Sequence, residues 1–217
     1  MNLLPWSYSK LTSFERCPRY GRAKYIDKSL PYVESPAAKE GNECHAAIEA
    51  HVNNSEPLPA KWTWVQQFIP DYKAGDTLKA EGWLNVNADG TPAPRKSWFT
   101  TKIDLLQIED GDIAWIIDWK TGKPWEDPDQ LKCYSVAVKA HYPHVRHWRG
   151  MYVWLKEKRV GEVHTLSPAR TLTKLQERVA KVDTSDTPKP NKLCDWCELQ
   201  TCEFYTGRKG HDKHANV

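Results

Sequence analysis

The stretch Ile116-Ile117-Asp118-Trp119-Lys120-Thr121-Gly122-Lys123-Pro124 (IIDWKTGKP) decides how the rest of the chain is read. Residues 113–117 (IAWII) are apolar and bounded by turn residues, the pattern of a strand entering a core. Side chains alternate along a strand, so Asp118 and Lys120 share one face while Trp119 takes the other. A carboxylate and an ammonium at the end of such a strand are costly to desolvate unless something compensates them. A salt bridge at a strand end is the bland explanation of one D-x-K triplet, so neighbouring segments must choose between it and a site.

Working outward, the preceding strand (97–108) carries Asp104 inside the apolar run Ile103-Asp104-Leu105-Leu106. The short Glu109-Asp110-Gly111-Asp112 turn predicts an antiparallel pair with 113–120, which brings Asp104 near Asp118. Two facing carboxylates repel, and Mg²⁺ or Mn²⁺, which favour carboxylate oxygens, resolves the conflict. Lys120 is then a charged group able to position a water or steady charge on a phosphate. A helix predicted from the Ser35-Pro36 cap to about Val52 presents His45 and Glu49 one turn apart, with Gly41 a turn earlier implying close approach of another backbone. Gln130 and Tyr134 share a face at the start of a helix running from Asp127-Pro128 to about Tyr142. Asp127-x-x-Gln130 also fits a capping box, and Tyr134 also fits plain packing.

The remaining elements are a helix over 7–27 interrupted at Pro18, a short helix at 60–74, strands near 145–156 and 160–166, and a helix from Ser167-Pro168 to Val182. This order predicts an α/β core with a mixed central sheet flanked by helices. The 217 residues suit one medium domain, and 40% hydrophobic with 11% aromatic content is ample for a core. The net charge of +3 (31 basic against 28 acidic residues) permits a nucleic-acid partner without demanding one. Neither a signal peptide nor a membrane-length apolar run is visible, so a soluble, cytoplasmic protein is expected. Most of the eleven tryptophans belong to the core, and a minority are candidates for stacking on unpaired bases.

Six cysteines are present: Cys17, Cys44, Cys133, Cys194, Cys197 and Cys202. The last three form C-x2-C-x4-C, a strong metal signal. A fourth ligand is required for a closed site. Spacing alone leaves Cys17, Cys44 and Cys133 open, although Cys44 and Cys133 read better as small packing residues. Zinc and an iron–sulfur cluster fit the spacing equally.

Taken together, Gly41-x3-His45-x3-Glu49, Ile103-Asp104-Leu105-Leu106, Ile116-to-Gly122 and Gln130-Leu131-x2-Tyr134 resemble the RecB-like branch of the PD-(D/E)XK nuclease superfamily. The opening Ser7-x-Ser9-x-Leu11 with Cys17-Pro18 is similar to that branch's start. The resemblance implies a restriction-endonuclease-like core and a metal-dependent DNA nuclease, an exonuclease acting from free or single-stranded ends in recombination, repair or processing. His45, Asp104 and Asp118 would hold Mg²⁺ or Mn²⁺, Lys120 would be the catalytic lysine, Glu49 a supporting group and Glu81, on a strand at 78–86, an accessory acid. Gln130 and Tyr134 would contact DNA or order the site. Iron–sulfur members of the branch, including CRISPR-associated nucleases, imply a 4Fe–4S cluster on Cys17, Cys194, Cys197 and Cys202. It would join residues 1–30 and 188–206 into a subdomain of a single 1–217 nuclease domain, with 207–217 a disordered tail. Alternatives are a structure-selective or spacer-processing endonuclease, a cluster-bearing DNA-binding subunit without activity, and a zinc-stapled interaction module. Thr101 stands where the family pattern puts a glycine.

Overall fold

The computed structural model describes residues 5–30, 34–69, 77–95, 97–122, 124–125 and 127–207; residues 70–74 of the expected third helix and the tail from 208 lie outside them. The order is α1 (Tyr8–Arg16), α2 (Pro18–Tyr25), α3 (Pro36–Asn54), a 3₁₀ segment (Ala60–Phe68), β1 (Thr77–Val86), β2 (Pro92–Ala93), β3 (Phe99–Glu109), β4 (Ile113–Lys120), α4 (Asp129–His141), β5 (His147–Trp154), β6 (Arg159–Val160), β7 (His164–Thr165) and α5 (Pro168–Lys181). It is the mixed α/β architecture expected. The described residues divide into two compact units, one of 5–7 and 34–177, the other of 8–30 and 178–207.

The larger unit is built on one sheet with strand order β2-β1-β3-β4-β5-β6, and β7 also pairs with β5. β1, β3 and β4 are antiparallel neighbours, while β4 and β5 run parallel. The tight turn between β3 and β4 holds Asp110 and Gly111 at positive φ (51° and 68°), which is what a D-G hairpin turn supplies. A parallel partner needs a crossover, and α4 provides it. One face packs on α4 through Leu131, Tyr134 and Val138 against Leu106, Ile108, Ala114 and Ile116. The other packs on α3 through Cys44 and Ile48 against Ala80, Leu105, Ile117 and Trp119. The outer edge of β1 is pinned at Ala80, whose N–H and C=O both bond the Asn53 amide (3.0 and 2.9 Å).

β1 and β3 roll over in mid-strand. Leu78 and Ala80 belong to the α3 side but Leu84 to the α4 side, and Leu105 and Ile103 divide the same way. Glu81 and Asp104 stand at this crossover, facing each other between the Ala80–Leu105 and Gly82–Ile103 pairs. Glu81 adopts φ 54°, a left-handed conformation that a non-glycine strand residue holds only when its surroundings enforce it.

In the smaller unit, the expected helix over 7–27 is two helices. Cys17 is extended (φ −163°, ψ 116°) and caps α2, with Pro18 at its first position, so the proline breaks the helix rather than bending it. The ends of this unit are held by polar contacts: Arg178 forks onto Glu15 (2.8 and 2.7 Å), and Lys189 Nζ reaches the Glu15 carbonyl at 2.8 Å. Elsewhere the region expected as one strand over 160–166 is two short strands around Gly161, whose N–H bonds the Tyr152 carbonyl at 2.8 Å. The 60–68 stretch is 3₁₀, tighter than the helix expected. Among the described residues no helix is long and apolar enough to cross a membrane.

Candidate active site

α3 begins as its sequence dictates: Ser35 Oγ accepts from Ala38 N (3.1 Å) with Pro36 at the first position. Burying Cys44 and Ile48, four residues apart, turns His45 and Glu49 to the flank of the helix that faces the β1–β3 crossover. His45 Nδ1 lies 2.9 Å from Glu81 Oε1 and 3.8 Å from Asp104 Oδ2. One ligand atom from each of His45, Glu81 and Asp104 lies within 4.8 Å of the others. Glu81, expected as an accessory, is thus gathered with His45 and Asp104 more closely than Asp118 is. Glu49 stands farther back, its charge felt by Lys102, whose ammonium pairs with Glu81 Oε2.

Asp118 and Asp104 meet across the sheet, one step beyond the Leu105–Ile117 pair. Asp104 Oδ2 accepts the Trp119 N–H (2.9 Å), and Trp119 buries its ring on the α3 side, opposite Asp118, as alternation required. Asp118 is 1% exposed. Its Oδ1 accepts from Gln130 Nε2 at 3.0 Å. Its Oδ2 is buried without a hydrogen-bond partner among the described residues, although Lys120 Nζ stands 2.5 Å away as an ion pair. The contact sets the Lys120 charge directly against the carboxylate. Lys120 Nζ also donates to Gln130 Oε1 (3.0 Å) and sits 5.4 Å from the centre of the Tyr152 ring. Gln130 further contacts the Tyr134 hydroxyl at 2.6 Å. Its side chain is therefore spent on the site, and the capping role at the head of α4 falls to Asp127, which accepts from Asp129 N at 3.0 Å.

Gly41 is explained by its neighbour. A Cβ there would stand 3.1 Å from Thr121 Cγ2 and 3.2 Å from Oγ1, so the close approach is a side chain one residue past Lys120, not a backbone. Thr101, where a glycine was expected, is buried and bonds the Leu84 carbonyl through Oγ1 (3.2 Å).

Burial, and then the charge of Asp118, pushes the Asp104 carboxyl up to about 8. Burial raises Asp118 as well, against the pull of Lys120. For His45, burial works downward but is outweighed by the Glu81 contact and the Asp104 charge, so the imidazole is raised. Glu81 is lowered, burial being overcome by His45 and Lys102. The cation-free site therefore holds protons that a cation would replace.

This has a measurable sign. The unfolded Asp104 carboxyl titrates near 3.9 and the folded one near 8, so the native state carries an extra proton between those values. Stability then falls as pH rises through that window, by up to about 1.4 kcal/mol per unit and proton. The raised His45 acts in the same direction. In EDTA the melting temperature should drop between pH 5 and pH 8, and Mn²⁺ should restore more of it at pH 8 than at pH 5. A melting temperature that stays flat or rises in EDTA, or a fall as large in Asp104→Asn as in the wild type, would show that this carboxyl is already ionised.

In the smaller unit, Cys17, Cys194, Cys197 and Cys202 line a common pocket. The Lys189 N–H points at Cys17 Sγ (3.4 Å), the Asn191 N–H at Cys194 Sγ (3.3 Å) and Arg19 Nη1 at Cys202 Sγ (3.8 Å). No three of these sulfurs come within 4.8 Å of one another. Cys44 and Cys133 are buried elsewhere in the core, and burial pushes the Cys44 thiol up to about 12.

The family model described as the PD-(D/E)XK nuclease superfamily matches residues 5–202 of the chain. Among solved structures, one titled "Crystal structure of SSO0001" is similar at 16% identity and a TM-score of 0.48, covering 94% of this chain and 87% of that one. No curated protein matches it.

Proposed function

The chain belongs to the PD-(D/E)XK nuclease superfamily, and on that premise we propose that it is a metal-dependent DNA exonuclease with its active site at the β1–β3 crossover. The observation that carries the placement is the gathering of His45, Glu81 and Asp104 within 4.8 Å of one another, with the buried Asp118 next to Asp104 and paired to Lys120 at 2.5 Å. Buried carboxylates crowded together are costly in a purely structural role. The donor set of one imidazole and carboxylate oxygens suits Mn²⁺ or Mg²⁺.

In this reading His45, Glu81, Asp104 and Asp118 would hold the cation, which supplies Lewis-acid polarisation of the phosphodiester and a more acidic water. The protein's own groups do the rest. Gln130 fixes Asp118 and Lys120 with the two ends of one amide, so neither side chain is free to swing away. Lys120 offers its ammonium to the charge that grows on the phosphate oxygens. Tyr152 stands under the lysine from β5, and Tyr134 braces Gln130 from α4.

For the cysteine pocket we propose the 4Fe–4S cluster. What favours the cluster over zinc is the family resemblance, which implies one early cysteine and a C-terminal trio as its ligands; the spacing itself suits zinc equally. The N–H groups aimed at three sulfurs also suit a cluster, whose charge such bonds stabilise.

End-labelled linear DNA tests the activity. Purified protein with Mn²⁺ should shorten it progressively and leave circular single strands intact, and excess EDTA should stop the reaction. Full activity in EDTA would remove the metal. Cutting of circles would replace the exonuclease with an endonuclease.

A further inference from the structure

We propose that Trp83 and Lys102, directly opposite each other on β1 and β3, form a subsite for one unpaired nucleotide beside the metal group; the inference rests on the nuclease reading and specifies its substrate as single-stranded DNA. Trp83 is 63% exposed, unusual for a large aromatic in the middle of a strand. It lies two residues beyond Glu81, about 7 Å along the strand. Opposed residues of an antiparallel pair present their side chains on one face. That face is the site's, because the Lys102 ammonium reaches back to Glu81 Oε2. An exposed indole and a cation therefore stand side by side next to the three gathered ligands.

The pairing matches what an unpaired strand offers. Every base has a face for an aromatic ring to stack on, and each base is followed by a phosphate for a cation to meet. A base pair inside a duplex has no free face, so the arrangement favours a single strand. Trp83 also walls a cleft of about 380 Å³ along the outer edge of β1, within the range of about 300–1,000 Å³ typical of small-molecule sites. Gly82 leaves that cleft clear, since a Cβ there would meet nothing within 4 Å. The rollover at Glu81 is what brings Trp83 to this position: the strand's face exchange turns Leu84 into the core and leaves its neighbour outside.

The test is the affinity of the full chain for a fluorescein-labelled single-stranded oligonucleotide, read by anisotropy, alongside Mn²⁺-dependent cleavage. Trp83→Ala should weaken binding about 5- to 150-fold, the loss of one base stack, and raise KM while leaving kcat within about twofold. Trp83→Phe should keep most of the affinity, and Trp83→Leu, apolar but without a ring face, should not. Placing a single abasic residue along the oligonucleotide should cost the wild type at one position and cost Trp83→Ala nothing there. Unchanged affinity in Trp83→Ala, or a leucine variant as good as the phenylalanine one, overturns the subsite whether or not the protein cuts DNA. A change of oligomeric state in Trp83→Ala with unaltered affinity would assign the indole to a second copy of the chain. Failure of the wild type to cut any strand with Mn²⁺ counts instead against the nuclease reading, since binding is measured separately.

Discussion

Replacing Lys120 by alanine is expected to slow DNA cleavage by about 100- to 10,000-fold, the range of one lost acid–base or charge-stabilising group. The reason lies in how little freedom the ammonium has. It is held between Asp118 Oδ2 at 2.5 Å and Gln130 Oε1 at 3.0 Å, with Tyr152 beneath it. A group so fixed is aligned before substrate arrives, which is where such catalysis draws its strength. Asp118 already tends toward the protonated form through burial. Removing the nearby cation pushes it further the same way, so Lys120→Ala weakens the metal site as well. Raising Mn²⁺ should therefore recover part of the lost activity, but not the part that belongs to the ammonium. Gln130→Leu keeps both charged groups and loses their common brace. It should cost about 10- to 100-fold, the usual effect of removing a residue that orients a ligand. Lys120→Ala with near-normal turnover at saturating Mn²⁺ would exclude the lysine from the chemistry. Circular dichroism spectra matching the wild type would show that any loss is not unfolding.

How much of this was visible in the sequence depends on how anomalous each residue looks in its own segment. Asp104 and Asp118 were legible because an acid inside Ile103–Leu106 or Ile116–Trp119 contradicts the apolar run around it. The hairpin followed from Asp110-Gly111. Glu81 was undervalued because Lys79-Ala80-Glu81-Gly82 reads as an ordinary strand with polar residues outward. Its importance comes from a positive φ and a change of face, which alternation patterns do not encode. The adjoining glycine was the one local signal of it. Gln130 had two readings, cap or site, and only the packing of α4 on β4 decides between them. Gly41 announced a close approach correctly and misled about its nature, because a missing Cβ does not say which atoms fill its space. The Cys17-Pro18 interruption was legible, because the residue before a proline is pushed toward the extended region and ends a helix there.

The cysteine pocket carries the other large expected effect. Protein isolated without oxygen should be brown, with about four irons and four sulfides per chain. Substituting serine for Cys17, Cys194, Cys197 or Cys202 should bleach it, and the same change at Cys44 or Cys133 should leave the colour. The buried pair sits in the core, outside the residues that line the pocket. Loss of the group should also cost stability on a scale that surface contacts cannot replace. The remaining latches of this unit are polar and largely exposed, such as Lys189 to the Glu15 carbonyl and Asn191 to the Arg16 carbonyl. Each such contact contributes about 1 kcal/mol or less. Structural metal binding, by comparison, contributes about 10–16 kcal/mol in zinc-finger peptides. A four-ligand group also closes the long loop between Cys17 and Cys194, restricting the unfolded chain. The Cys17→Ser variant is the sharpest of the set, because the other three ligands sit within nine residues of one another and would retain some metal without it. A brown Cys17→Ser protein would remove Cys17 as the fourth ligand. Colourless wild-type protein with one zinc per chain would replace the cluster with zinc and leave the four-cysteine staple standing.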